Sequence, residues 1–244
     1  MNFQTITNII TSLLFLSVYL PTSSIAEETD KNILQVTNST VAPTILVLGD
    51  SISAAYNLNI DEGWVALLAD KLATKQPELL TGSSTDITNK DYSHYQVINA
   101  SISGATTAAG LNILPQLLLQ HKPQLVLLEL GANDGLQGKP IAYIQNNLRK
   151  LITMSEEEGA DVILLSMKLP PNYGTAYTKP FFEQYKILAQ EYNLTHVPFL
   201  LDGVAGDVEL MQSDRLHPKA KAQPLLLNNV WEVLVPKLKS KDNL

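Results

Sequence analysis

The 244-residue chain contains no cysteine, and this absence removes several kinds of chemistry at once. Disulfides, thiolate nucleophiles and cysteine-based metal sites are all excluded. Basic residues are also few. The chain has 17 Lys and Arg against 24 Asp and Glu, and the resulting formal net charge of −7 opposes binding to phosphate backbones and anionic membrane surfaces. Nucleic acid is therefore not an expected partner.

The first 26 residues lack any charged side chain, and residues 9–20 form an apolar run of signal-peptide rather than membrane-spanning length. Ser24-Ile25-Ala26 supplies the small-x-small pattern that a signal peptidase cleaves. Because this segment lacks the usual Lys or Arg, a retained hydrophobic anchor is the alternative. We expect a signal peptide over residues 1–26, a polar tether over 27–43 and one domain over 44–244. This organisation predicts a periplasmic or secreted protein with no stable membrane insertion after signal removal.

Short apolar runs and helix-length patterns alternate along the rest of the chain. The strand candidates, rich in Val, Ile and Leu, are residues 44–48, 96–100, 125–130, 162–167 and 195–198. The helix candidates are residues 64–73, 110–121, 140–158, 180–192 and 219–238. This alternation predicts an α/β fold, a three-layer α/β/α sandwich with a five-stranded parallel sheet. The long polar stretch 76–95 is interpreted as a surface excursion.

Small and polar residues follow three of the predicted strands. They are Gly49-Asp50-Ser51, residues 101–104, and residues 131–134, which read Gly-Ala-Asn-Asp. Because open α/β sheets hold ligands at the carboxyl ends of their strands, these segments are expected to meet. Such residues are also common in ordinary loops, and Gly49-Asp50-Ser51 taken alone favours a turn or helix cap over a nucleophile. The Asn133 amide and the backbone N–H groups beside glycine are donors of the kind that stabilise an oxyanion.

A serine nucleophile needs a base, and the chain has four histidines. His94, His121 and His196 each have an ordinary explanation as surface, cap or packing residues. His217 differs because Asp214 lies three positions before it in the loop that precedes the last predicted helix. A carboxylate at this spacing can bind the imidazole Nδ1–H and leave Nε2 facing a serine, although a surface pair is the alternative. The His and carboxylate spacings match no metal-ligand pattern, so no metal is expected.

Four short blocks in this order resemble those of the GDSL or SGNH hydrolases, which are named for their Ser, Gly, Asn and His. The blocks are Gly49-Asp50-Ser51, Gly104, Gly131-x-Asn133-Asp134 and Asp214-x-x-His217. The stretches "VINASISGATT", "LVLLELGANDGLQG" and "LPPNYG" are similar to the branch of this family that contains bacterial periplasmic acyl-CoA thioesterases and lysophospholipases. This resemblance covers nearly all of the chain from about Thr44 to the last predicted helix.

The resemblance implies a role for each matching residue. Ser51 would be the nucleophile, His217 the general base and later acid, and Asp214 the group that orients His217. The oxyanion would be held by the Ser51 and Gly104 backbone N–H groups and by the Asn133 amide. No cofactor is implied. The family pattern also implies that the two aspartates beside Ser51 and Asn133 support loop geometry rather than perform chemistry.

Two residues depart from the usual family pattern. Ala132 stands before Asn133 where Gly is commoner, and Arg215 follows Asp214 where Gly is frequent. If Gly serves a positive φ there, Arg215 is strained and the placement of Asp214 is less certain. We expect these two departures to modify the site without abolishing its catalytic activity.

The resemblance further implies an acyl ester or lipid substrate. Expected substrates are medium or long acyl thioesters and oxygen esters such as lysophospholipids and aryl esters, with an apolar groove for the acyl chain. Two segments, residues 131–140 and 169–177, would line its mouth, and the glycines of the first would permit a mobile flap, with an ordinary loop as the alternative. The candidate substrate-binding residues are Gly131, Gly135, Leu136, Leu169, Pro170 and Tyr173.

Two other functions are compatible with the same blocks. The fold also serves carbohydrate and cell-wall O-acetylesterases, for which a tight pocket and a short acyl preference are expected. A secreted binding protein without activity is the non-enzymatic alternative, which the intact Ser51, Asn133, Asp214 and His217 disfavour.

Overall fold

The computed structural model describes residues 42–74, 76–79 and 87–239. Residues 76–79 and 87–89 are described by their backbone alone. The described residues belong to one compact unit, Val41–Leu244. The expected signal peptide and nearly all of the expected tether therefore fall outside the described residues.

The strands follow one another along the chain as β1 Thr44–Gly49, β2 Gln76–Leu79, β3 Ile87–Lys90, β4 Gln96–Asn99, β5 Leu125–Glu129, β6 Asp161–Leu165 and β7 Thr195–Val197. Within the described residues, β4, β1, β5, β6 and β7 form a sheet in that order, and every neighbouring pair is parallel. β1 pairs with β4 on one side and β5 on the other. The chain thus reverses its direction of travel across the sheet at β1, which is where such folds bind ligands.

The α-helices are α1 Trp64–Ala73, α2 Thr107–His121, α3 Ala132–Leu136, α4 Ile141–Glu157, α5 Thr175–Glu191 and α6 Gln223–Leu234. α1 packs beside α6, whereas α4 packs between α2 and α5. Right-handed crossovers place these two groups on opposite faces of the sheet. The predicted three-layer α/β/α fold is confirmed.

The core follows from this layering. β1 and β5 are apolar almost throughout, and each of their residues is buried, because helices cover both faces of the sheet. On α4 the buried apolar residues recur at helical spacing, namely Ile144, Leu148, Leu151 and Ile152. Complete burial of each such side chain stabilises the fold by about 1.5–3 kcal/mol.

Several elements differ from the sequence-based expectation. α5 begins at Thr175 rather than at residue 180, and α6 spans Gln223–Leu234 rather than residues 219–238. The polar stretch 76–95 contains an antiparallel hairpin, in which Gln76 faces Lys90 and Leu79 faces Ile87. α2 begins at Thr107 rather than at residue 110, because the Thr106 hydroxyl accepts the N–H of Ala109 and caps the helix. The short helix α3 was not predicted.

The close approach of α2 to the sheet depends on Gly110. A Cβ atom at this position would lie 2.5 Å from Leu130 Cδ1, a side chain that is fully buried. A larger residue therefore requires the Leu130 side chain or the helix to shift within the packed core.

We predict that Gly110→Ala lowers the free energy of unfolding by up to about 2 kcal/mol, because an overpacking cost of about 1–3 kcal/mol opposes a helix-propensity gain of about 1 kcal/mol. Chemical denaturation measures this change. Asn112→Ala, on an exposed position of the same helix, is the control and should leave stability equal or slightly higher. An increase in stability for Gly110→Ala would contradict the proposed constraint.

Candidate active site

The turn that follows β1 presents Ser51 at the carboxyl edge of the sheet. The strand ends because Asp50 folds the chain back: its Oδ1 accepts the Ile52 N–H at 3.0 Å, and its carbonyl accepts the Ala54 N–H at 2.9 Å. The Ser51 carbonyl accepts the Tyr56 N–H at 3.0 Å, which continues the turn. These bonds set the Ser51 side chain beside the sheet rather than within the core.

Ser51, His217 and Asp214 form a continuous hydrogen-bonded chain. His217 Nε2 lies 2.8 Å from Ser51 Oγ, and His217 Nδ1 lies 2.7 Å from Asp214 Oδ2. Nδ1–H donates to the carboxylate, which leaves Nε2 unprotonated and able to accept the serine hydroxyl proton. The Tyr56 ring lies 4.4 Å from the imidazole, centroid to centroid, and covers one side of it. The sequence-predicted residues are therefore brought together in the order that nucleophilic catalysis requires.

Asp214 is held as an anion. Partial burial acts to raise the pKa of its carboxyl, but hydrogen bonds from the His217 side chain and from the Leu216 and His217 N–H groups outweigh burial and keep this pKa below its usual value. The two backbone N–H groups reach Asp214 Oδ1 at 2.9 and 3.1 Å. A carboxylate fixed in this way orients the imidazole and stabilises its protonated form.

Arg215 has a φ of 60°, as expected if a family glycine at this position serves a positive φ. The left-handed conformation costs a non-glycine residue about 1–2 kcal/mol. The loop compensates through hydrogen bonds from Gln212 N–H to the His217 carbonyl at 2.7 Å and from Arg215 N–H to the Gln212 carbonyl at 3.0 Å. Asp214 consequently remains within hydrogen-bonding distance of His217.

Two backbone N–H groups at the site are available to a ligand. Within the described part of the chain, neither the Ser51 N–H nor the Gly104 N–H donates a hydrogen bond. Gly104 has a φ of 79°, which turns its segment away from the sheet after β4. Both groups line the same cavity as His217. They are suited to receive the negative oxygen of a tetrahedral intermediate.

The Asn133 amide is already engaged in this structure. α3 begins after Gly131, whose φ is 114°, and places Asn133 in its first turn. Asn133 Nδ2 donates to Asp50 Oδ2 at 3.0 Å and to the Ala105 carbonyl at 3.1 Å. An oxyanion must therefore compete with an acceptor for one of these protons. Since a charged acceptor binds an N–H about twice as strongly as a neutral carbonyl, the Ala105 bond is the one to be replaced.

A buried acidic layer lies beneath Ser51, and sequence analysis missed its central residue. Glu129, at the end of β5, has no exposed surface, and its Oε2 accepts the Asp50 N–H at 3.0 Å and the Ser53 hydroxyl at 2.9 Å. Burial raises the pKa of Asp50 to about 6, against the opposing effects of its hydrogen bonds and of His217. A lone acidic residue closing the apolar run "LVLLE" was the signal available in the sequence.

The Asp134 carboxylate holds in place the short helix α3, which carries Asn133. It is fully buried and accepts the Thr107 N–H at 2.7 Å and the Thr107 hydroxyl at 2.8 Å. The Asn147 amide donates to the same hydroxyl at 3.0 Å. α3 is thereby tied to the start of α2 and to α4, which fixes the position of Asn133.

The cleft beside Ser51 has an apolar wall and adjoins a larger space. The inner cleft, about 290 Å³, is lined by the site residues together with Ile52, Tyr56, Leu136, Met167, Lys168, Leu169, Pro170, Leu201 and Leu216. The outer chamber, about 890 Å³, shares Leu136, Lys168, Leu169, Pro170, Leu201 and Leu216 with the cleft. It adds Tyr173, Phe199, Ala205 and Met211, and also the polar side chains of Asn172, Asp202, Asp214 and Arg215. The two spaces therefore meet at a mainly apolar wall, and the lining of the outer one is mixed.

The candidate substrate-binding residues divide into two groups. Leu136, Leu169, Pro170 and Tyr173 line this space, and the Tyr173 hydroxyl donates to the Leu136 carbonyl at 3.0 Å, which joins its two rims. Gly131 and Gly135 are buried and are not among the lining residues. A Cβ atom at Gly131 would lie 2.7 Å from the Tyr185 hydroxyl, and one at Gly135 would lie 2.7 Å from side chains of α5 and residue 169. Both glycines permit close packing behind the wall.

The described residues provide two further findings. They contain no group of three or more His, Cys, Asp or Glu side chains arranged to hold a metal ion. A search of the same residues finds no helix of the length and apolarity needed to cross a membrane.

Replacing Asn133 tests its predicted role as an oxyanion donor. We predict that Asn133→Ala lowers kcat by roughly 10²–10³ with a smaller effect on KM, because the amide acts on charge that develops in the transition state. Steady-state ester hydrolysis measures both constants. Asn228→Ala, an exposed residue on α6, is the control. Equal changes in kcat for the two variants would exclude the role.

Comparison with known proteins agrees with this geometry. Residues 47–224 match the GDSL-like lipase/acylhydrolase family. The chain is 45% identical to Esterase TesA of Pseudomonas aeruginosa over 83% of this chain and 93% of the relative. It is 36% identical to thioesterase 1/protease 1/lysophospholipase L1 of Escherichia coli K12, over 84% and 89%. The crystal structure of TesA superposes with a TM-score of 0.70 at 47% identity, over 80% of this chain and 99% of that one. The chain therefore belongs to the GDSL-like lipase/acylhydrolase family and is a serine esterase.

Proposed function

We propose that this esterase forms its acyl-enzyme on Ser51. The observation that carries the proposal is the chain of contacts from Ser51 Oγ through His217 to Asp214, at 2.8 and 2.7 Å. His217 Nε2 takes the hydroxyl proton as Oγ bonds to the ester carbonyl carbon. The tetrahedral intermediate then collapses, and His217 returns the proton to the departing alcohol or thiol. Water repeats the sequence on the acyl-enzyme and releases the acid.

The oxyanion of each tetrahedral intermediate would be held by three donors. The Ser51 and Gly104 backbone N–H groups are available for it in this structure. The Asn133 amide exchanges its bond to the Ala105 carbonyl for a bond to the charged oxygen. The two backbone donors are free of other partners before the reaction, so they stabilise the transition state without reorganisation at that moment.

The preferred substrates are esters with medium or long acyl chains. The supporting observation is the apolar wall of the cleft of about 290 Å³ beside Ser51, since Leu136, Leu169 and Leu201 of this wall also line the adjoining chamber of about 890 Å³. The names of the relatives, an esterase and a thioesterase/lysophospholipase, are consistent with acyl chains of this kind. An O-acetylesterase needs a tight pocket, which this space does not favour. Aryl esters and lysophospholipids are therefore the substrates to test first.

The compartment favours lipid esters over acyl-CoA. We propose that residues 1–26 are a signal peptide and residues 27–43 a tether, so that the enzyme works in the periplasm or outside the cell. Acyl-CoA is an intracellular thioester that an exported enzyme rarely meets. Lysophospholipids, by contrast, are present where such an enzyme would be released.

Hydrolysis of p-nitrophenyl esters from acetyl to palmitoyl tests the reaction. The protein without residues 1–26 should be most active on medium or long chains, and Ser51→Ala should lose at least about 10⁴-fold in kcat. Activity on acetyl esters alone would favour the O-acetylesterase alternative. Equal activity of Ser51→Ala and the unsubstituted protein would exclude the nucleophile, and a folded protein without any activity would favour the binding-protein alternative.

Blocking the outer chamber tests where the acyl chain lies. Ala205 is exposed on its wall, and Ala205→Phe fills part of this space. We predict that kcat/KM for the palmitoyl ester falls by about tenfold whereas the value for the acetyl ester changes by less than about twofold. Ala73→Phe, at the exposed end of α1, is the control for adding a phenyl ring. Equal losses on both esters for Ala205→Phe would contradict this placement.

A further inference from the structure

We propose that Glu129 is a positioning residue for the reaction: it stays a neutral carboxylic acid, shares its proton with the Asp50 carboxylate, and thereby fixes the Asn133 amide for the oxyanion. The proposal rests on the proposed role of Asn133. It concerns a buried acid that takes no part in the proton transfers between Ser51, His217 and Asp214.

Glu129 lies directly beneath the Ser51 turn. Its Oε2 accepts the backbone N–H of Asp50 at 3.0 Å and the hydroxyl of Ser53 at 2.9 Å, so the acid is bonded to the residues on both sides of Ser51. Gly49 leaves the space for this contact, since a Cβ atom there would lie 2.7 Å from the same oxygen. The Glu129 carboxyl group thus accepts the hydrogen bonds from the Ser51 turn that water would accept at an exposed position.

The surroundings of the second carboxyl oxygen of Glu129, Oε1, indicate that this carboxyl group is protonated. No N–H or O–H group of the described residues donates to Oε1, although this atom is buried. The Asp50 carboxyl group is close enough to act on the pKa of Glu129, and Glu129 acts on the pKa of Asp50 in turn. Two carboxyl groups can share a hydrogen bond only if one of them carries a proton, because an ionised carboxylate is an acceptor alone. Two ionised carboxylates in this dry environment would also repel each other strongly.

The contacts of the two acids decide which one is protonated. Asp50 Oδ1 accepts the Ile52 N–H and Oδ2 accepts the Asn133 Nδ2–H, both at 3.0 Å, and the nearby His217 also favours a negative charge. Burial raises the pKa of Glu129 well above its usual value, and the Asp50 charge raises it further. Burial raises the pKa of Asp50 only to about 6, because its donors and His217 oppose burial. Above this pH the pair carries one charge, on Asp50, and one proton, on Glu129.

This charge distribution fixes the Asn133 amide. An ionised Asp50 Oδ2 can only accept, so it holds the amide with Nδ2, not Oδ1, towards the site. The other titratable groups that face the pair are Tyr185 on α5, whose hydroxyl donates to the Leu130 carbonyl, and Asp134 on α3. Burial, and then the acidic groups around it, raise the pKa of Tyr185, which remains neutral. The single proton between the two acids therefore sets the orientation of the oxyanion donor.

Substitutions of Glu129 test whether its carboxyl group acts as a neutral acid or as a negative charge. Glu129→Gln keeps one oxygen acceptor for the turn and offers an N–H to Asp50, so kcat at pH 8 should stay within about threefold of the unsubstituted value. Glu129→Leu removes both the acceptor for the turn and the donor to Asp50. Its kcat should therefore fall by about tenfold or more, with KM within about twofold of the unsubstituted value. A loss in Glu129→Gln as large as that in Glu129→Leu would show that a negative charge on Glu129 is needed, and would overturn the proposal.

A positioning role also predicts coupling to Asn133. In an Asn133→Ala background, Glu129→Leu should cost clearly less in kcat than the tenfold that it costs alone, because the amide that it positions is absent and only the support of the Ser51 turn is lost. A full additional tenfold loss would show that Glu129 acts elsewhere, and would overturn the positioning role. If Asn133→Ala alone leaves kcat unchanged, the proposed function of Asn133 fails instead.

Infrared spectroscopy tests the protonation state without any catalytic readout. The spectrum of the folded protein at pH 8, minus that of Glu129→Gln, should contain the carbonyl band of a protonated carboxylic acid. The same band should appear when Ser51→Ala is the parent, so a failure of the proposed hydrolysis does not affect this result. Replacement of that band by the band of an ionised carboxylate would overturn the proposal.

Discussion

The parallel pairing of β1 with both β4 and β5 fixes where three chain segments leave the sheet. Val47 lies opposite Asn99 in β4, and Gly49 lies opposite Glu129 in β5. The segments after these strands therefore begin within a few ångströms of one another, with Ser51 between Gly104 and Asn133. The helical layers hold this edge in place, and the loop before α6 then needs only to bring His217 over it. The cleft is a consequence of strand order more than of any single loop.

A layer of buried polar side chains joins the site to the core, and the apolar runs of the strands do not predict this layer. Between the buried leucines of β1 and β5 and the solvent-facing Ser51 lie Asp50, Ser53 and Glu129, almost completely buried and bonded to one another. Burying such groups is unfavourable unless each finds a partner. Here the unfavourable burial is offset by hydrogen bonds that hold the turn, so the groups that are costly for folding also make the site rigid.

The sequence was most informative where a local signal has one structural outcome. Continuous apolar runs such as that of β1 predicted the buried parallel strands, and the spacing of Asp214 and His217 predicted a pair that the structure places 2.7 Å apart. Glu129 was missed because its importance depends on a partner about 80 positions away, which no local pattern reveals. α3 was missed because a five-residue helix containing Gly135 has little intrinsic helical preference and is held by the contacts of Asp134.

The two bonds already made by the Asn133 amide have a consequence for inhibitors. A compound that presents a neutral carbonyl oxygen to this site exchanges one neutral acceptor, the Ala105 carbonyl, for another and gains little from the amide. A tetrahedral adduct that carries a full negative charge, such as a phosphonate or boronate bonded to the proposed nucleophile Ser51, would gain the difference between a charged and a neutral hydrogen bond. Charge on the bound oxygen, more than the fit of the acyl chain, should therefore rank covalent inhibitors that share the same chain.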